Sequence, residues 1–257
     1  LIENLNKEQK EAVLNTEGPN LIVAGAGSGK TRVLTTRLIH IINQKKAFPN
    51  QILSVTFTNK AAREMQKRVS KILNNKEVGL PWLGTFHSIC AKILRRHAKA
   101  VNLNQNFTII DQDDQVRLIK SICNAENIDI KKISPNFIIS LINKWKNFGW
   151  YPDDVILKKS ENFEKNLLKI YKIYQTSLTN LNACDFGDLI LHCVSILEKN
   201  IDINEMYSKN FKYILVDEYQ DTNFIQSKWL KLLTKTHYNI CCVGDDDQSI
   251  YSWRGAE

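Results

Sequence analysis

The feature that most constrains this chain is a glycine-rich segment between an apolar run at residues 21–23 and a helical pattern from residue 30. Its residues are Ala24, Gly25, Ala26, Gly27, Ser28, Gly29, Lys30 and Thr31. Strand, glycine-rich turn and helix in this order predict a phosphate-binding loop, because glycine lets the backbone curl closely around an anion. The exposed N–H groups and the positive helix end then face the phosphates. The strict pattern has glycine where Ala24 stands, and a small side chain is sufficient there.

Four polar side chains are predicted to do the chemistry around this loop. Lys30 would reach the β- and γ-phosphates, and the Thr31 hydroxyl would ligate Mg²⁺. A second apolar run, residues 213–216, ends in Asp217 and Glu218. A strand of a parallel sheet delivers such carboxylates to the edge that carries the phosphate loop. We therefore predict that Asp217 holds Mg²⁺ and that Glu218 activates the attacking water as a general base.

Composition excludes several classes of protein. No apolar run approaches the ~20 residues of a membrane-spanning helix, and the N-terminus does not resemble a signal peptide. Six cysteines without CxxC spacing predict reduced thiols, and five histidines without paired spacing predict no metal site made of protein ligands. We therefore expect a cytoplasmic protein without membrane contact. The 35 Lys and Arg exceed the 27 Asp and Glu, and the net charge of +8 favours an anionic partner such as nucleic acid.

Strand and helix patterns alternate at both ends of the chain, which is typical of a parallel α/β sheet. Strands are predicted at residues 20–24, 52–56, 82–85, 211–216 and 240–243. Helices are predicted at residues 6–15, 30–43, 59–73, 86–97 and 224–234. Between them, residues 102–183 are mostly helical and rich in Lys and Asn. We predict an α/β domain from residues 1–101 and 184–257 with a helical insert between the two parts.

Six blocks in this order resemble the motifs of superfamily 1 DNA helicases of the UvrD/PcrA/Rep type. They are residues 5–9 (Q motif), 24–32 (motif I), 55–62 (motif Ia), 84–88 (motif Ib), 216–222 (motif II) and 243–255 (motif III). The resemblance implies a RecA-like P-loop NTPase lobe with a parallel sheet and a helical accessory insert. It covers the first part of such a helicase, so the second RecA-like lobe is expected to be absent.

The resemblance also implies roles in the ATP site. Gln9 would read the adenine edge, for which its amide offers both a donor and an acceptor. Arg32 would stack on the base or touch a phosphate. Gln248 would sense the γ-phosphate or its attacking water. ATP and Mg²⁺ are the implied ligands.

For DNA, the resemblance implies a single-strand track through motifs Ia, Ib and III. Its residues here are Phe57, Asn59, Thr85, Phe86, His87, Tyr251, Trp253 and Arg254. Aromatic faces stack on any base, and Arg254 would hold phosphate. Two alternatives stay open, since Phe57 ends an apolar strand and fits a core, and His87 fits a hydrogen-bonded structural role.

The insert offers two further features. Its lysines are predicted either to touch duplex DNA or to form a solvated basic face; they are Lys131, Lys132, Lys144, Lys146, Lys158 and Lys159. The block at residues 185–189 resembles a family segment that commonly has Asp where Gly187 stands, which leaves its role open.

Together these patterns predict the ATP-binding part of a 3′–5′ DNA helicase that acts on single strands and at junctions with duplex. Its partner would be a second RecA-like lobe, without which we expect slow hydrolysis and no unwinding. The helicase part of a RecB/AddA-like helicase–nuclease is one alternative. A non-catalytic ATP- and DNA-binding regulatory module is the other, although Lys30, Asp217 and Glu218 are all present.

Overall fold

The computed structural model describes residues 2–73, 79–128, 133–156 and 162–245. The chain divides into two compact units. The sheet unit comprises residues 1–89, 197–222 and 227–257, and the helical unit comprises residues 90–196 and 223–226.

The strands and helices are numbered in chain order. The strands are β1 (Asn20–Val23), β2 (Ile52–Thr56), β3 (Leu83–Thr85), β4 (Thr108–Ile109), β5 (Ala183–Cys184), β6 (Tyr213–Val216) and β7 (Ile240–Gly244). The helices are α1 (Lys7–Leu14), α2 (Lys30–Asn43), α3 (Asn59–Ile72), α4 (Phe86–His97), α5 (Gln112–Ala125), α6 (Pro135–Asn147), α7 (Asn162–Asn180), α8 (Phe186–Lys199), α9 (Ile201–Asn210) and α10 (Phe224–Thr234). Short 3-10 turns lie at Pro49–Gln51, Ala98–Val101, Pro152–Asp154 and Tyr219–Asp221.

The sheet unit is built on a five-stranded parallel sheet in the order β1-β7-β6-β2-β3. Strands β2, β3, β6 and β7 are almost wholly buried, as strands covered on both faces of a parallel sheet are. Strand β1 was predicted to be buried as well, but it leaves Leu21 and Val23 exposed on one face. Every strand runs in the same direction, so the carboxyl ends of all five meet at one edge. This edge carries the predicted phosphate loop after β1 and the acidic pair after β6.

Local signals explain where the helices of the sheet unit begin. The Asn6 side chain accepts from the Gln9 N–H, and the Gln9 side chain accepts from the Asn6 N–H, which is a capping box at the start of α1. The Thr58 side chain likewise caps the start of α3. The apolar stripes of α2 and α3 pack in one core with the sheet; its members include Leu34, Leu38, Met65, Val69 and Leu215.

The helical unit has its own core between α5, α6 and α7, with Ile119, Ile142 and Tyr171 among its buried members. Asp111 caps α5, and Ser134 caps α6 directly before Pro135. Proline suits the first helical position because a backbone N–H at that position would have no intrahelical partner, so its absence costs nothing. Strands β4 and β5 pair in parallel as a small second sheet.

The predicted fold class is confirmed: the chain is α/β, with a parallel sheet in one unit and mostly helices in the other. The boundaries differ from the predicted insert, because the helical unit runs from Cys90 to Ile196. Its ends fall inside α4 and α8, where helical periodicity continues without a break. Strands β4 and β5 were not predicted, since two residues are too few for a period to emerge. Among the described residues, no helix combines the length and the apolarity needed to cross a bilayer.

Candidate active site

The predicted phosphate loop lies between β1 and α2. Gly27 and Gly29 have φ of +72° and +87°, a left-handed conformation that favours glycine. Gly29 is also the N-cap of α2, whose first residue is Lys30. The Ala24 N–H donates to the Gly244 carbonyl at 3.1 Å, which ties the loop to the end of β7. An open loop at a helix N-terminus is the arrangement that binds a phosphate chain.

The Lys30 ammonium is held inside this loop. It donates to the carbonyl oxygens of Ala24 at 2.8 Å and Gly25 at 3.3 Å. It also forms a buried ion pair with Asp245, at 3.1 Å from Oδ2. Asp245 directly follows β7, so its position beside Lys30 depends on β7 lying next to β1. Sequence reasoning missed Asp245 as a member of the site, because strand order cannot be read from a single motif.

Asp217 contacts Thr31, the residue after Lys30. The Thr31 hydroxyl donates to Asp217 Oδ2 at 3.2 Å, and Asp217 is 2% exposed. Burial and the neighbouring charge of Glu218 raise the pKa of Asp217 to about 6. A buried carboxylate with raised pKa lacks sufficient positive charge around it. Both predicted Mg²⁺ ligands are therefore adjacent, although no cluster of three or more His, Cys, Asp or Glu fit for a metal occurs in the described part of the chain.

The raised pKa of Asp217 predicts a pH-dependent stability. Between about pH 4 and pH 6 the folded protein binds the extra proton, so its free energy of unfolding falls as pH rises through this window. Asp217→Asn removes the buried charge and should stabilise the ligand-free protein by roughly 2–3 kcal/mol at about pH 7. The gain should vanish at about pH 4. Urea unfolding at the two pH values measures this gain in stability. Asp111→Asn is the control, because asparagine still caps the helix. An equal gain from Asp217→Asn at both pH values would show that the buried charge is not its cause.

Gln220 connects the acidic pair to the end of β7. Its Nε2 donates to Glu218 Oε2 at 2.7 Å, and its Oε1 accepts from the Asp245 N–H at 3.0 Å. A Cβ at Gly244 would lie 2.9 Å from Gln220 Oε1, so a side chain at position 244 would displace the Gln220 amide from this contact. Glu218 has φ of +52°, a left-handed conformation that is uncommon outside glycine and often occurs at functional sites. Gln220 was inside the quoted motif II but was not predicted as a site residue.

Gln9, predicted to read the adenine edge, and Arg32, predicted to stack on the base or touch a phosphate, both contact neighbouring backbone. Gln9 Nε2 donates to the Ser28 carbonyl at 2.8 Å, while its oxygen serves the capping box of α1. A primary amide has a second N–H and a second lone pair, so Gln9 retains capacity for a base edge. Arg32 Nη2 donates to the Asn4 carbonyl at 3.1 Å. Both side chains therefore join the N-terminal segment to the phosphate loop.

The residues predicted for DNA follow β2 and β3, the pair of strands beyond β6 at the same edge of the sheet. Asn59 is exposed at the start of α3, and Phe57 and His87 are half-buried. Thr85 is largely buried and accepts from the Ser88 N–H, which makes it a structural cap of the helix.

Phe86 is a core residue, which differs from its predicted role. It is 2% exposed, and its ring packs edge-to-face with Phe57 and Trp229 at 6.1 and 5.8 Å between centroids. Such a ring cannot stack on a base without leaving the core, so Phe86 packs against Phe57 and helps to fix its position. The remaining predicted site residues, Gln248, Tyr251, Trp253 and Arg254, lie outside the described residues.

Of the six lysines predicted to touch duplex DNA or to form a basic face, the two that the structure describes differ in exposure. Lys144 is exposed, whereas Lys146 is 1% exposed and lies 2.7 Å from both Asp185 Oδ2 and Asp188 Oδ1. The prediction that Lys146 touches duplex DNA or forms a solvated face is therefore wrong. Lys131, Lys132, Lys158 and Lys159 lie outside the described residues.

Asp185 and Asp188 make the block at residues 185–189 a structural cluster. Each carboxylate also accepts the N–H of the other residue, at 2.9 and 3.1 Å. Burial would raise the pKa of Asp188, but Lys146 and His192 lower it below its ordinary value. A Cβ at Gly187 would lie 2.9 Å from Lys146 Cδ. Glycine at position 187 therefore fits closely against the Lys146 side chain.

Comparison with known proteins gives the family. Residues 5–257 match the model of the UvrD/REP helicase N-terminal domain. The whole chain is 48% identical over 260 residues to a DNA helicase II of Rickettsia typhi, of which it covers 39%. It is 46% identical over 257 residues to an ATP-dependent DNA helicase PcrA of Staphylococcus epidermidis, of which it covers 35%. The chain thus spans less than two fifths of these relatives, and the resemblance drawn from its six motifs is confirmed: this chain belongs to the family of UvrD/REP helicase N-terminal domains.

Proposed function

We propose that this chain is the ATP-binding part of a DNA helicase that moves 3′ to 5′ on single-stranded DNA and unwinds duplex at junctions. The observation that carries the proposal is the convergence of Lys30, Thr31 and Asp217 at one sheet edge. The polarity rests on the family resemblance alone. In this proposal the sheet unit is the RecA-like lobe, and the helical unit is its accessory insert.

The ATP site follows from the chemistry of its side chains. The loop N–H groups and Lys30 would bind the phosphate chain, with Lys30 exchanging Asp245 and loop carbonyls for phosphate oxygens. Gln9 would read the adenine edge, and Arg32 would stack on the base or touch a phosphate. Glu218, oriented by Gln220, would take a proton from the attacking water. Gln248 would sense the γ-phosphate.

A divalent cation fits the residues present. The Thr31 hydroxyl and the Asp217 carboxylate are hard oxygen ligands of the kind Mg²⁺ prefers, and the raised pKa of Asp217 indicates a carboxylate short of positive charge. Mg²⁺ would neutralise charge on the β- and γ-phosphates. Thr31 and Asp217 would hold it in place beside them.

The proposed motor needs a second RecA-like lobe. In phosphoryl transfer, arginines supplied from a second element stabilise the transition state by about 10³–10⁵ in rate. Translocation also needs two bodies that open and close around ATP. We therefore expect this chain to bind Mg²⁺–ATP and single-stranded DNA but to hydrolyse ATP slowly.

The test is ATP hydrolysis with and without oligothymidylate, for this chain and for one extended to the length of its relatives. DNA-stimulated turnover confined to the longer chain would support the split site. Stimulated turnover by the short chain would contradict the need for a second lobe. No nucleotide binding by either chain would contradict the proposal as a whole.

Glu218→Gln should separate binding from chemistry. We expect the hydrolysis rate to fall by about 10²–10⁴, because a neutral amide cannot accept the proton from water. Nucleotide affinity should change little, since Gln keeps an oxygen for the hydrogen bond from Gln220. Single-turnover hydrolysis and fluorescent-nucleotide binding measure the two effects, with exposed Glu205→Gln as the control. An unchanged rate would favour the regulatory-module alternative.

A further inference from the structure

One tryptophan of the helical unit is exposed. Of the four tryptophans in the described part of the chain, Trp82, Trp145 and Trp229 are at most 9% exposed, whereas Trp150 is 40% exposed. Phe148 stacks on it at 5.1 Å between ring centroids and 24° between planes. Large aromatic rings left at a surface as a pair commonly mark a binding site. None of the roles proposed above uses these two rings.

The backbone beneath Trp150 is fixed by the end of α6. The Trp150 N–H donates to the Trp145 carbonyl at 3.0 Å, and the Gly149 N–H donates to the Lys146 carbonyl at 2.9 Å. With Gly149 at φ of +78°, this is a Schellman motif. The Trp150 carbonyl accepts from the buried hydroxyl of Tyr171 at 2.9 Å. The Trp150 backbone is therefore held in place before any ligand arrives, which lowers the entropy lost on binding.

The charge around the pair favours an anionic ligand. Lys144 is exposed one helical turn before Phe148, at the i,i+4 spacing that places side chains on one face. In the residues of the helical unit, 15 Lys and Arg exceed 11 Asp and Glu. Stacked rings beside a lysine match the two parts of a single-stranded nucleic acid, bases and phosphates. A purely apolar protein partner would not use the charge.

We propose that Trp150 and Phe148 form a base-stacking platform for single-stranded DNA, with Lys144 beside a phosphate. The platform adds a subsite on the helical unit to the proposed DNA-binding function and rests on it. The Trp150 ring supplies the stacking face, and Phe148 sets the orientation of that ring. Binding there requires no base-specific hydrogen bond, so it is blind to sequence.

The test is the affinity of the full 257-residue chain for fluorescein-labelled oligothymidylate and for the same strand with abasic sugars. Trp150→Ala should weaken binding of oligothymidylate at least about fivefold and leave the abasic strand unaffected, because only bases stack. Trp150→Phe should retain most of the affinity. Trp150→Leu keeps apolar volume without a ring and should behave as Trp150→Ala, which guards against misfolding of the smaller variant.

Phe163→Ala, on the exposed side of α7, is the matched control for loss of a surface ring. Affinity of Trp150→Ala equal to that of Phe163→Ala would overturn the platform and leave the surface to a protein partner. An equal loss on the abasic strand would also overturn it, since stacking would not be the cause. If the unaltered chain binds no oligothymidylate, the proposed DNA binding fails first and the platform fails with it.

Discussion

Replacing Lys30 by Ala should weaken nucleotide binding by about 30- to 100-fold, since charge-assisted hydrogen bonds to phosphate each contribute about 1.5–3 kcal/mol. The same change should destabilise the ligand-free protein by as much as about 3 kcal/mol, because buried Asp245 loses its ammonium partner. Titration with a fluorescent ATP analogue and urea unfolding measure the two effects. A variant with normal affinity would show that the loop backbone alone binds the phosphates.

A double variant separates the two roles of Lys30. Lys30→Ala with Asp245→Asn removes both charges, so it should regain most of the lost stability but none of the nucleotide affinity. Asp245→Asn alone keeps the ammonium and controls for the carboxylate. If the double variant recovered affinity, the defect of Lys30→Ala would be one of folding, and Lys30 would have no direct contact with phosphate.

The parts of the site that follow from local sequence were predictable. Strand, glycine turn and helix are contiguous, so the segment at residues 24–31 specifies Lys30 and Thr31 without knowledge of the fold. The position of Asp217 beside them needed only the rule that parallel strands end at one edge. Asp245 and Gln220 required the order β1-β7-β6, which brings Lys30 and Asp245, 215 positions apart in sequence, into contact. Strand order depends on tertiary packing and leaves no local pattern.

The sequence of α6 contains a weak signal for the burial of Lys146. Ile138, Ile142 and Lys146 are spaced by four residues, which places Lys146 on the apolar face of α6, while Lys144 falls off that face. Lysine on such a face predicts a buried carboxylate partner, and Asp185 and Asp188 supply two of them. Phe86 is the converse case: the family resemblance implied a ring on the DNA track, whereas its packing against Trp229 places it in the core.

Lys146→Met should cost about 3–5 kcal/mol of the free energy of unfolding at neutral pH. It leaves the carboxylates of Asp185 and Asp188 buried without their cation, and breaking a buried ion pair from one side has this effect. Lys144→Met, two residues away and exposed, should change stability by less than about 0.5 kcal/mol. Urea unfolding followed by circular dichroism measures both.

The cause is tested by removing the carboxylates together with the lysine. The triple variant Lys146→Met, Asp185→Asn and Asp188→Asn carries no buried charge in this cluster, and it should recover much of the lost stability. Tyr174 and Gln175 donate to these carboxylates at 2.9 and 2.8 Å, and the other oxygen of each carboxylate accepts a backbone N–H. Each asparagine keeps one oxygen for one of these two bonds, so the recovery should be incomplete. A triple variant as unstable as Lys146→Met would mean that unpaired buried carboxylates are not the cause of the defect.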